Sequence, residues 1–256
     1  MAGAGSRRVV WLEGPPPRRP GWTLFGIPIR INASWFAVAA FVAWTLARGY
    51  FPAVYPGLPA PAYWLMGAVS ALLLFGCVLL HELGHSLAAR SYGIPVACVT
   101  LFMFGGVAQI ASDPRRPSAE LIVALAGPLV SAAIAWLCFA ASGAMPVEHG
   151  AQLVGYAVIR YLALINVLLL AFNLLPGFPL DGGRVLRAIL WAWTGSLRRA
   201  TRIASAVGVV FSLALLGLGV WVLTRGAWTG GLWYIVLGLF LRNAALASYR
   251  RSAGGG

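Results

Sequence analysis

Six apolar runs divide the chain, each close to the ~20 residues that an α-helix needs to cross ~30 Å of hydrocarbon. They lie at about Ser34–Tyr50, Tyr63–Ser91, Ala119–Ala141, Gln152–Leu175, Ile203–Leu223 and Gly231–Ala247. Hydrophobic residues make up 60% of the 256 and charged residues 10%. A water-soluble domain carries about 25% charge, so the pattern predicts an all-α polytopic membrane protein of about six transmembrane helices. The net charge of +13 is all arginine, since the chain has no lysine. A basic chain can bind nucleic acid. Here the arginines gather at the ends of apolar runs, where they meet lipid headgroups, so the expected partner is the bilayer and not nucleic acid. Placing the N-terminus inside puts sixteen of the nineteen arginines on the cytoplasmic side and leaves Arg48, Arg160 and Arg225. The expectation is a multi-pass cell-membrane protein with both termini cytoplasmic.

Residues 1–20 are rich in Gly, Pro and Arg and have no apolar signal core, so they read as a disordered basic cytoplasmic tail. Residues 21–250 form the membrane-embedded domain, with its core at about 63–190, and 251–256 form a second tail. Between spans two and three, Val96–Phe102 and Val107–Ile110 are β-forming stretches about a Gly105-Gly106 turn, which predicts a small membrane-associated β-hairpin. Phe51–Pro61 reads as a Pro/Gly-rich loop, and Pro176–Gly183 must break a helix.

Near the end of span two stands His81-Glu82-Leu83-Gly84-His85. H-E-x-x-H on a helix stacks two imidazoles at i and i+4, where they can grip one Zn²⁺, and places the Glu to take a proton from water held there. Buried histidines satisfied by backbone groups are the competing reading, but they would strand Glu82 in apolar surroundings. The acidic residues are Glu13, Glu82, Asp113, Glu120, Glu148 and Asp181. Of these, Glu82 and Asp181 are expected to be buried, and a shared dication would offset the cost of both. Glu120 is expected at the interface, serving an early helical turn. Asp181 is the third-ligand candidate and Asp113 the runner-up. His149 sits in a loop, away from this set. Cys77, one turn before His81, is read as a small apolar residue of its helix, and the three cysteines fit no disulfide framework. Two histidines and one carboxylate leave a fourth zinc position open, as catalysis requires. Asn173 ends span four and either holds a substrate backbone or oxyanion or bonds to its own helix end.

His81–His85 together with Asn173-Leu174-Leu175-Pro176-Gly177-Phe178-Pro179-Leu180-Asp181-Gly182 resembles the paired signature of the site-2 protease family, zinc metalloproteases that cut within the membrane. Gly26–Arg30, Phe104–Ala108 and Ala126–Ser131 resemble further landmarks of that family. The resemblance implies one Zn²⁺ per chain on His81, His85 and Asp181, with Glu82 as acid/base and Asn173 assisting. It implies that Gly127 and Ser131 pack close by, and that the hairpin with Gly105 and Gly106 takes an extended substrate as an added strand. It further implies substrates that are single-pass membrane proteins after a prior cleavage, such as anti-sigma factors or tethered regulators. The nucleotide-binding cystathionine-β-synthase-type modules that often follow the last span are not seen before Gly256, either because the protein lacks them or because they lie beyond this sequence, so nucleotide regulation is not supported. No PDZ-like insertion fits the loops, so gating by such a domain is not expected. A metal-ion transporter or channel using the same His/Asp site is the alternative. Against it, polarity is concentrated in one place and no repeat is visible.

Overall fold

The computed structural model describes residues 22–103, 105–110, 112, 114–145 and 151–253. The tail expected over 1–20, with Glu13, Phe104, Asp113, Glu148 and His149, lies outside the described residues. The chain runs β1 (Thr23–Leu24), β2 (Ile27–Ile31), α1 (Ala33–Thr45), a π-helical turn (Leu46–Tyr50), α2 (Phe51–Val54), α3 (Ala60–Ser91), β3 (Val96–Phe102), β4 (Gly105–Ile110), α4 (Pro117–Gly143), α5 (Ala151–Asn173), α6 (Asp181–Thr194), α7 (Leu197–Thr224) and α8 (Trp228–Ala253).

Among the described residues, six stretches are long and apolar enough to span a membrane: Ala33–Val54, α3, α4, Gln152–Asn173, α7 and Trp228–Arg250. The six-span expectation holds. Their outward faces carry Phe41, Leu72, Leu129, Trp136, Val210 and Val220, all exposed on the isolated chain, which is the composition of a lipid-facing surface. Span one continues through Phe51–Val54, part of the stretch read as a loop, because the π turn passes straight into α2. The fully buried Phe51 then packs with Met66, Cys77 and Tyr161 between α3 and α5. Cys77 therefore belongs to that apolar cluster.

The expected hairpin is present, with β3 and β4 antiparallel. It is half of a larger unit. The sheet has the order β1-β2-β3-β4, with β2 parallel to β3 through Ile29↔Val99 and Ile31↔Leu101. Ile27, Leu83 and Val99 close one core between this sheet and α3, directly beside the H-E-x-x-H turn. Arg90, at the end of α3, donates to the Phe25 carbonyl at 2.6 Å and pins the β1–β2 turn. β4 is left as one edge strand, with the two-residue β1 at the other.

The break at Pro176 ends sooner than the sequence suggested. Gly182 and Gly183 lie in the first turn of α6, because their missing side chains let α6 press against the carbonyls of Leu174 and Gly177. α6 is 14 residues long and ends at Gly195, whose φ of 66° suits glycine. Two further corrections concern charge. Glu120 is fully buried rather than interfacial, and Arg187 is buried with it rather than facing headgroups.

Candidate metal centre

Two helices deliver the three candidate ligands. His81 and His85 lie on one face of α3, both buried, and Asp181 is the first residue of α6. His81 Nε2 and Asp181 Oδ2 are 3.1 Å apart, His85 Nε2 and Asp181 Oδ2 3.2 Å, and the two Nε2 atoms 3.2 Å. Donor atoms around a tetrahedral zinc with bonds of about 2.0–2.2 Å lie roughly 3.3 Å or slightly more apart. The triangle is thus close to the size that zinc requires.

The hydrogen bonds point the same way. His85 Nδ1 lies 2.7 Å from the Val123 carbonyl, which can only accept, so Nδ1 carries the hydrogen and the Nε2 of the neutral ring keeps a lone pair. That lone pair faces the Asp181 carboxylate. Two acceptors aimed at one another repel unless a cation lies between them. His81 Nδ1 meets Ser131 Oγ at 2.9 Å, a contact that orients the ring, with the hydroxyl able to donate or to accept. Of the three side chains Asp181 is the most open, 13% exposed against 4% and 5% for His81 and His85. Among the described residues, His81, His85 and Asp181 form the single group of His, Cys, Asp and Glu able to hold a metal.

The surroundings are built for close approach. Gly127 lies against both rings, and a Cβ there would strike His85 Nε2 and stand 2.7 Å from His81 Nε2. At Gly84 a Cβ would meet the Ala126 carbonyl at 2.9 Å, so glycine lets α3 and α4 touch at the motif itself. Glu82 is fixed from the sheet side: the Ala108 backbone N–H of β4 donates to its Oε2 at 3.2 Å, and Gly106 is pressed against its Cγ. The structure therefore gathers His81, Glu82, His85, Gly106, Gly127, Ser131 and Asp181. Gly105 stands apart at the β3–β4 turn with φ 126° and open space about it. Asn173 is the last residue of α5, half-buried, and its side chain has no hydrogen-bond partner among the described residues. Sequence reasoning missed the Val123 carbonyl, which no side-chain pattern could reveal.

Residues 69–153 and 143–215 match peptidase family M50. The solved structure titled "Site-2 Protease from Methanocaldococcus jannaschii" is 30% identical with a TM-score of 0.61, and the alignment covers 89% of this chain and 93% of that one. The chain belongs to peptidase family M50, the site-2 protease family. Among its relatives is the Synechocystis protein sll0528, 39% identical over 90% of this chain and 59% of that protein. The zinc metalloprotease MJ0392 of Methanocaldococcus jannaschii is 36% identical over 77% of this chain and 52% of its own length. The M50 chain thus spans between half and three-fifths of these two curated relatives. The matched residues include the whole H-E-x-x-H turn, α4 with Gly127 and Ser131, and Asp181.

Proposed function

We propose that this chain is an intramembrane zinc metalloprotease that hydrolyses peptide bonds within or near transmembrane segments of membrane-tethered proteins. The observation that carries this reading is the meeting of His81 Nε2, His85 Nε2 and Asp181 Oδ2 within 3.2 Å, next to a carboxylate that none of them needs as a ligand. A zinc ion held there supplies Lewis acidity, polarising the scissile carbonyl and making water a stronger acid. Glu82 receives the proton from the attacking water and returns it to the departing amine. The Ala108 N–H holds the Glu82 carboxylate in place for that task. Because Ala108 belongs to edge strand β4, a substrate segment added along that edge would run past Glu82. Asn173, in the segment just ahead of α6, is assigned a substrate-holding role.

The substrates are inferred to be single-pass membrane proteins after an earlier cut, with anti-sigma factors and tethered regulators as the candidate class. A transmembrane helix hides every carbonyl in its own hydrogen bonds, so the cleaved segment must unwind first. Changing Gly or Pro to Leu near the cut in a cleaved substrate should therefore slow cutting severalfold, and an unchanged rate would remove the unwinding step. The arginine bias supports a multi-pass protein of the cell membrane with both termini cytoplasmic. Asp181→Ala should lower the zinc content of the purified chain well below one per molecule and abolish cleavage. Unchanged zinc content would hand the third-ligand role to Asp113.

A further inference from the structure

Glu120 is fully buried in the first turn of α4. Its Oε1 accepts from Arg184 Nε at 3.1 Å and from an Arg187 terminal nitrogen at 2.6 Å. The Arg187 guanidinium also lies 5.2 Å from the centre of the Phe178 ring, which belongs to the turn leading into Asp181. The cluster thus joins α4, that turn and α6. Well-packed apolar side chains would fill the same space without stripping water from three charges, so fold stability alone gives little reason for it, and buried ionic groups of this kind are best attested where they fix a register.

The stripe that Glu120 heads shows which register. Glu120, Val123, Gly127 and Ser131 follow one another along α4 at steps of three, four and four, which is one helix face. Val123 orients His85, Ser131 orients His81, and Gly127 lies against both rings. On α6, Arg184 and Arg187 stand one and two turns beyond Asp181. One face of α4 therefore holds both imidazoles near its middle and grips the Asp181 helix at its beginning.

We propose that Glu120 is a positioning residue which, through Arg184 and Arg187, holds Asp181 at ligand distance from His81 and His85. The inference rests on the zinc-site reading above. It is tested with the chain in lipid nanodiscs, stripped of metal and titrated with Co²⁺. Wild type should bind one Co²⁺ with the ligand-field bands of a four-coordinate site. Absence of those bands would remove the zinc-site reading itself, and this inference with it. Glu120→Gln keeps the shape and an oxygen acceptor but loses the charge. In that variant the Co²⁺ dissociation constant should rise about tenfold or more, and the bands should weaken and shift at temperatures where helical content shows the protein still folded, although loss of one charge from a buried cluster also lowers the unfolding temperature. Wild-type affinity and bands in a folded Glu120→Gln protein would overturn the proposal. So would a lowered unfolding temperature with unchanged bands, which is what a merely structural ion cluster predicts. If Glu120→Gln does not fold, Arg187→Lys, which keeps the charge but loses the planar fork, carries the same readout. Shifted bands there support the proposal and unchanged bands overturn it.

Discussion

Glu82→Gln is expected to reduce cleavage by about 10²–10⁴-fold, the range over which a positioned general acid/base acts, while leaving one zinc per chain. The separation of the two readouts follows from the geometry. The three donor atoms that face one another belong to His81, His85 and Asp181, so removing the Glu82 charge leaves the ligand triangle complete. Gln has the shape of Glu and retains an oxygen for the Ala108 N–H, so the sheet should stay docked against α3. What Gln lacks is the ability to take a proton. Cleavage of a membrane-tethered substrate by wild type and variant, with metal analysis of both, checks the result. Retained proteolysis would sink the assignment of Glu82 as base. Lost zinc would mean that Glu82 holds the metal. The variant, if it binds substrate without turning it over, also offers a way to capture the native substrate in its own membrane.

Local signals in the chain were strong where the physics is local. The spans were legible because hydrocarbon demands some twenty apolar residues whatever the neighbours are. The His81–His85 turn was legible because helix periodicity alone puts the two imidazoles together, and Asp181 followed because an intramembrane carboxylate needs a partner. α6 was missed. Val185, Leu186, Ile189 and Leu190, with Arg184 just before them and Arg187 among them, carry a helical period, but Gly182-Gly183 reads as a break until the carbonyls packed against it are known. The β1–β2 hairpin had its own signal in the alternation Ile27-Pro28-Ile29-Arg30-Ile31. Its parallel pairing with β3 did not, because that contact spans some seventy residues and depends on where α3 returns the chain. Glu120 was misplaced for a similar reason. Beside Pro114-Arg115-Arg116 it looks interfacial, and only the fold brings Arg184 and Arg187 to it from sixty-four and sixty-seven positions away.

Gly127→Ala should strip the metal. The new methyl would occupy the space of His85 Nε2 and crowd His81 Nε2, so at least one ring must turn away or α4 must move from α3. Turning His85 sacrifices its bond to Val123, and turning His81 sacrifices its bond to Ser131, each of which holds the outer nitrogen of a ligand ring. Moving the helix opens the contact that Gly84 makes against the Ala126 carbonyl. Overpacking of this sort costs about 1–3 kcal/mol, modest against the stability of a bundle, so the protein should still fold. The ligand atoms tolerate far less displacement, because zinc bonds vary by only a few tenths of an ångström. Zinc content should therefore fall to a small fraction of one per chain, and cleavage should disappear with it. Gly76→Ala on α3 is the control, since a Cβ there meets open space and alanine is the better helix former. That variant should match or slightly exceed wild-type stability with full zinc. Full zinc in Gly127→Ala would show that the rings bind metal in positions other than those seen, and the ligand triangle would have to be redrawn.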